Sequence, residues 1–320
     1  MKKYIIIIML VTLLTVTLAG CAPKDGGYIN TNKMDSKLNI VTTIFPQYDF
    51  TRAIVRDKAN LTMLIKPGTE THSYDPSPAD IIQIQNSDVF IYIGGENDEW
   101  VKGILESMDI SNKKIIRLID CVSPVEEEII EGMEEDEEHS SEEHIEYDEH
   151  IWTSPKNAIL MINAIAEVLC EVDTENAGTY IENAAAYCGE IQALDDEIID
   201  IVGSAKNNLL VFGDRFPFRY FVDEFGLEYR AAFNGCSTET ECSAGTMAYL
   251  MDTVEKNNIS HVFYIELSNA NIAKAISEQT GAKMLLLHSC HNLTKDDFEA
   301  GATYLSLMKQ NAENLKKGLN

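Results

Sequence analysis

The chain has 320 residues and a formal charge of -27, from 52 acidic against 25 basic side chains, with no basic stripe along it. Phosphate contacts need clustered Lys and Arg, so nucleic acid is excluded as a partner and the field favours a cationic ligand. Much of the excess is concentrated, since residues 126–149 hold fourteen Asp or Glu and no Lys or Arg.

Met1-Lys2-Lys3, an apolar run from Tyr4 to Leu18 and the small residues before Cys21 are the parts of a cleaved signal peptide over residues 1–20. Leu18-Ala19-Gly20-Cys21 also has the spacing of a bacterial lipobox, which predicts acylation of Cys21 and anchoring to the extracytoplasmic face of the cell membrane. Residues 21–37, rich in Gly, Asn, Lys, Asp and Ser, read as a flexible tether. No second long apolar run follows, so the remaining body reads as soluble and long enough for two domains.

Strand and helix signals then alternate. Leu38–Ile44, Leu61–Ile65, Val89–Ile93 and Lys114–Leu118 are short apolar runs that predict strands, and Ser77-Pro78 marks a helix start with Ser as cap and Pro in the first turn. The alternation resumes with Leu209–Phe212, His261–Ile265 and Met284–Leu287. Between the two sets, Ala177, Ile181, Ala184, Cys188, Ile191, Leu194, Ile198 and Ile201 recur at steps of three and four. That period predicts one long amphipathic helix from a cap near Asp173 or Thr174 to Gly203. The fold class expected is α/β, with two lobes, each a mostly parallel sheet flanked by helices, joined by a rigid helix. The boundaries are an N-terminal lobe at 38–172 containing the acidic loop 126–149, a linking helix at 173–203 and a C-terminal lobe at 204–320.

Six cysteines follow Cys21, namely Cys121, Cys170, Cys188, Cys236, Cys242 and Cys290, at irregular spacing with no CxxC. Cys170 and Cys188 fall in helical patterns and read equally as apolar fillers or as partners. Cys236 and Cys290 fall in loop-like stretches near candidate site residues, and their pairing is the preferred disulfide.

Binding sites of open α/β sheets form beyond the carboxyl ends of the strands. His72 follows the second strand, Asp214 follows Val211-Phe212, Glu266 ends its strand and His288 follows Leu287. His72 and His150 each stand just ahead of a Ser-Pro helix start, a construction made twice. Metal-capable side chains thus recur at strand ends in both lobes.

His72-Ser73-Tyr74-Asp75-Pro76-Ser77-Pro78-Ala79-Asp80 and Asp148-Glu149-His150-Ile151-Trp152-Thr153-Ser154-Pro155 resemble two hallmark motifs of the zinc- and manganese-binding solute-binding proteins of ABC transporters. The resemblance extends from Leu38 to Leu319. It implies a metal held in the cleft between two lobes, His72 and His150 as ligands, no enzymatic activity, and delivery to an ABC permease by a monomer. The C-terminal lobe departs from the pattern, because Arg215 stands where zinc-type relatives carry His and manganese-type relatives Glu, and a guanidinium has no lone pair for a metal. Asp214 is one substitute, or it pairs with Arg215. Where the family has its last Asp, this chain offers His288-Ser289-Cys290-His291, with His288 preferred, His291 next and Cys290 third.

Imidazoles with one carboxylate suit tetrahedral Zn(II), whereas Mn(II) favours more oxygen donors, so zinc is the expected cargo and manganese the alternative. Copper and nickel also bind imidazoles. The acidic loop, with His139 and His144, reads either as solvated chain or as a metal-collecting antenna, and His261 reads as structural. Glu239 and Glu241, around Cys236, stay open as further site residues. The competing class is a secreted zinc hydrolase, for which the chain has neither HExxH nor Gly-x-Ser-x-Gly. A surface adhesin is the remaining alternative.

Overall fold

The computed structural model describes residues 37–134 and 147–320. The signal segment, Cys21 and the tether up to residue 36 lie outside the described residues, as do His139 and His144. No helix among the described residues is long and apolar enough to cross a membrane.

Strand β1 (Leu38–Thr42) leads into α1 (Phe45–Val55), and β2 (Ala59–Met63) is followed by a long loop and α2 (Pro78–Asn86). Strand β3 (Val89–Tyr92), α3 (Glu99–Glu106) and β4 (Lys114–Arg117) complete the first set. All pairings are parallel and the order is β2-β1-β3-β4. Val89, Phe90 and Ile91 are fully buried, as expected of a central parallel strand covered on both faces. Ser77 caps α2 as its sequence predicts, its hydroxyl accepting from the Asp80 N–H while the Asp80 carboxylate accepts from Ser77 N–H. Ser154 caps α4 (Pro155–Val172) in one direction only, its hydroxyl accepting from the Asn157 N–H.

The second set repeats the topology. Strands β5 (Leu209–Arg215), β6 (Glu228–Phe233), β7 (His261–Tyr264) and β8 (Lys283–Leu286) pair in parallel in the order β6-β5-β7-β8. Helices α6 (Arg219–Phe225), α7 (Ala244–Lys256) and α8 (Asn271–Thr280) connect them, and α9 (Lys295–Glu299) and α10 (Tyr304–Gly318) close the chain. Two points differ from expectation. Strand β6 has no clear sequence signal, because Arg230 and two alanines interrupt its apolar pattern. Strand β5 runs on to Arg215, so Asp214 lies within its last turn of pleat, not after it. Gly213 permits that extension, since a Cβ there would lie 2.4 Å from the Ala273 backbone of α8.

The long helix α5 spans Ala177–Gly203 and starts later than its cap was expected. The Asp173 carboxylate accepts from Asn176 N–H and, at 2.6 Å, from the Tyr180 hydroxyl, which holds residues 173–176 in a turn. The same bond turns Tyr180 into the core and leaves Ile181 60% exposed, against its periodic assignment. At 27 residues, α5 is about 40 Å long at 1.5 Å per residue. It packs on α1, α4 and α10, so helices preceding and following both sheets share it.

One core cluster contains Phe50, Trp152, Tyr180, Phe212, Phe218 and Tyr304 and therefore runs continuously between the two sheets, while two smaller clusters cover their outer faces. The six cysteines from Cys121 to Cys290 are all free thiols, which corrects the expected Cys236–Cys290 disulfide. Cys290 is buried with its sulfur toward the His288 carbonyl, whereas Cys236 faces Asn97.

Candidate metal centre

His72 lies in the loop after β2, His150 just before α4 and His291 after β8. Their ligand-capable nitrogens lie within 4.8 Å of one another. Ring centroids are 5.7 Å apart for His72 and His150, 4.8 Å for His72 and His291, and 5.3 Å for His150 and His291. Two nitrogens on a tetrahedral zinc with bonds of about 2.0–2.1 Å are about 3.3 Å apart, so small ring movements bring this set onto one ion.

Local structure explains why the rings meet. Asn292 donates to the carbonyls of Lys66 and Thr69 at 2.9 and 2.8 Å, and Gly68 N–H donates to Leu293 at 2.7 Å, which staples the His291 loop to the His72 loop. Trp152 donates its indole N–H to the Ser289 carbonyl at 2.8 Å and packs its ring against both His150 and His291. Ser289 is held in turn by Glu266, which accepts from its N–H at 2.7 Å and its hydroxyl at 2.5 Å. Cys290 adopts a left-handed backbone (φ 61), and that turn sends His291, not His288, to the cluster.

His150 is fully buried and its Nδ1 lies 3.1 Å from Asp148 Oδ1. A carboxylate accepts, so Nδ1 carries the hydrogen, and Nε2, buried with no hydrogen-bond partner, keeps a bare lone pair. Burial lowers the proton affinity of His150, but the charge and hydrogen bond of Asp148, with Glu149 and Glu127, outweigh it and raise the pKa. For His72 and His291 burial dominates. Together with the neighbouring imidazoles and the Arg215 guanidinium it drives both pKa values well below the ordinary value, so these rings are neutral donors at neutral pH.

The other expected ligands are placed differently. His288 Nδ1 accepts the Cys290 N–H at 2.9 Å and its backbone N–H donates to Asn311 at 2.7 Å, which ties the residue into the loop. Its Nε2, though buried without a hydrogen-bond partner, belongs to no converging set among the described residues. Asp214 accepts from the backbone N–H of Arg215 at 2.9 Å and of Ile265 at 3.3 Å, which ties its carboxylate to the strand ends. Arg215 reaches Glu70 at 3.5 Å and the Ser237 carbonyl at 3.4 Å beside the site. Neither Glu239 nor Glu241 belongs to a converging set among the described residues. His261 contacts Ser260 at 2.8 Å at the opposite end of β7.

The sequence placed Cys236 near candidate site residues but only as a disulfide partner, and gave no role at the cluster to Glu149 or Asn97. Glu149 and Cys236 form a second converging set with His72, and Asn97 Nδ2 lies 2.8 Å from His72 Nδ1. The signal available was position, since Asn97 follows β3 and Cys236 follows β6, each beyond a strand's carboxyl end. Burial pushes the Glu149 carboxyl up to about 7 against the opposing His150 charge and Asn97 hydrogen bonds, and burial with the nearby acids raises the Cys236 thiol well above its usual value.

Two parallel α/β sheets with imidazoles converging from the loops of both define a bilobal binding protein with a metal-capable cleft. The family model for the zinc-uptake complex component A, periplasmic, matches residues 40–318, and the chain belongs to that family, one of uptake components rather than enzymes. The zinc-binding lipoprotein AdcA of Streptococcus pneumoniae is 34% identical over 321 residues, covering 99% of this chain and 61% of the relative. The chain thus spans about three-fifths of the length of that relative. The high-affinity zinc uptake system protein ZnuA of Bacillus subtilis is 28% identical over 287 residues, 88% of each chain. Among solved structures, the Zn(II)-bound ZnuA-like domain of Streptococcus pneumoniae AdcA matches with a TM-score of 0.74 at 32% identity, over 89% of this chain and 99% of that one. The metal-dependent lipoprotein YcdH of Bacillus subtilis matches with a TM-score of 0.75 at 28% identity, over 88% and 99%.

Proposed function

We propose that the protein captures Zn(II) outside the cytoplasm and delivers it to an ABC permease, working as a monomer tethered through an acylated Cys21. The ion is held by His72, His150 and His291, with residues 38–172 and 204–320 acting as the two lobes and the helix between them as a stiff spine. The observation that carries this reading is the bare, fully buried Nε2 of His150, which faces two further neutral imidazoles. A buried nitrogen without a partner is costly, and an ion there removes the cost. Three imidazoles favour zinc over manganese, which prefers oxygen donors. The zinc-named relatives and the Zn(II)-bound solved neighbour support the same cargo.

The test is metal content by mass spectrometry with competitive zinc titration. One tightly bound zinc per chain, lost in His150→Ala, is the expected result. A chain that binds no zinc, or binds it equally well without His150, overturns the reading.

A further inference from the structure

Beside the imidazole cluster, a ring nitrogen of His72, a carboxylate oxygen of Glu149 and the sulfur of Cys236 also lie within 4.8 Å of one another. They arrive from three separate segments: the loop after β2, the stretch ahead of α4 and the loop after β6. One group stands among them. The Asn97 side-chain nitrogen is 2.8 Å from His72 Nδ1, donates to Glu149 Oε1 and lies 4.0 Å from Cys236 Sγ. The Asn97 backbone N–H adds a bond to Glu149 Oε2 at 3.1 Å. Both oxygens of a carboxylate that is 4% exposed therefore turn to one asparagine.

An amide NH2 has two hydrogens for these three acceptors, and it carries no full charge. It occupies the place of a cation without supplying one. Buried carboxylates are paired or coordinate metals, and imidazole, carboxylate and thiolate are all zinc donors. Asn97 sits on a short 3-10 turn (Glu96–Asp98) after Gly94-Gly95, a segment whose side chain can swing aside without disturbing a strand.

We propose that His72, Glu149 and Cys236 form a second holding position for a thiophilic divalent metal ion, adjoining the three-imidazole position and capped by the Asn97 amide until the ion displaces it. The proposal rests on the reading of this cleft as a metal site. On binding, the Cys236 thiol loses its proton to solvent and the sulfur gives its electron pair to the ion, as coordination deprotonates a thiol outright. Thiolate and carboxylate together then balance the two positive charges. Because His72 belongs to both sets, one ion moves between the positions by exchanging His150 and His291 for Glu149 and Cys236.

The test is titration of the reduced parent protein with Cd(II) and Co(II), both of which give ultraviolet charge-transfer bands when bound by thiolate. Zinc stoichiometry of the parent is measured in parallel. Expected is a thiolate band that saturates at one ion per chain, disappears in Cys236→Ser, and forms at several-fold lower metal concentration in Asn97→Ala. A parent that binds zinc but gives no thiolate band, or a band that survives in Cys236→Ser, overturns the second position alone. A parent that binds no zinc and gives no band overturns it together with the proposed function.

Discussion

Asp148 accepts the Nδ1 hydrogen of His150 at 3.1 Å and so decides which nitrogen of that ring is open. Asp148 is itself 2% exposed, and its carbonyl is held by the Tyr220 hydroxyl at 2.7 Å from the other lobe. Asp148→Asn removes the obligate acceptor and frees the ring to rotate or change tautomer. Zinc affinity is expected to fall by about 10–100-fold, the usual effect of losing a carboxylate behind a metal-bound His. Competitive titration with a fluorescent chelator reads the change, and unaltered affinity would show that the carboxylate does not set the tautomer.

The His288 and His291 variants separate two neighbouring rings with different surroundings. His291→Ala removes a converging donor and is expected to weaken zinc binding by more than 100-fold, about 3 kcal/mol. His288→Ala removes a loop brace, and its main expected effect is on thermal stability. The opposite ranking of affinities would return the ligand to His288.

Proton competition falls mainly on His150. Its pKa is raised, so as pH drops it is the first of the three rings to take up a proton, beginning above the ordinary value of 6.5. His72 and His291, whose values are lowered, remain unprotonated to well below 6.5. Zinc affinity is therefore expected to fall tenfold per pH unit once below the His150 value, with a slope near one proton, and to steepen only in stronger acid. Calorimetry in buffers of different protonation enthalpy counts the protons released. A slope of three protons near pH 6 would contradict this order.

Arg215 places a positive charge next to the cluster, where it lowers the proton affinity of both His72 and His291. The same repulsion acts on a metal ion. Arg215→Met is expected to tighten zinc binding by roughly fivefold, about 1 kcal/mol for a partly screened charge. Arg215→His should tighten it further by adding an imidazole. Weaker binding in both variants would mean that Arg215 supports the site through its contact with Glu70.

Trp152 is fully buried, donates to Ser289 and lies against two of the three histidines. Trp152→Ala is expected to cost about 3–5 kcal/mol of stability and to loosen the His291 loop. Urea unfolding followed by circular dichroism measures the first effect, and zinc titration below the transition measures the second.

Much of this molecule is decided locally. Seven of the eight strands follow from short runs of β-branched and apolar residues, and two helix starts from Ser-Pro pairs whose hydroxyls do cap them. The long helix follows from its period, because burial on one face needs apolar residues every three or four positions. His72 and His150 were legible because each precedes a capped helix in a motif read along the chain. What tertiary structure alone decided is which donors meet. Choosing between His288 and His291 depended on a left-handed turn at Cys290, whose neighbour Ser289 is braced by Glu266 and Trp152, 23 and 137 residues away in sequence. Cys236 and Asn97 entered the site only through the meeting of loops that follow β6 and β3, strands of two separate sheets. Local pattern reports what each segment buries, while convergence of side chains depends on how distant loops pack, and no window of sequence contains that information.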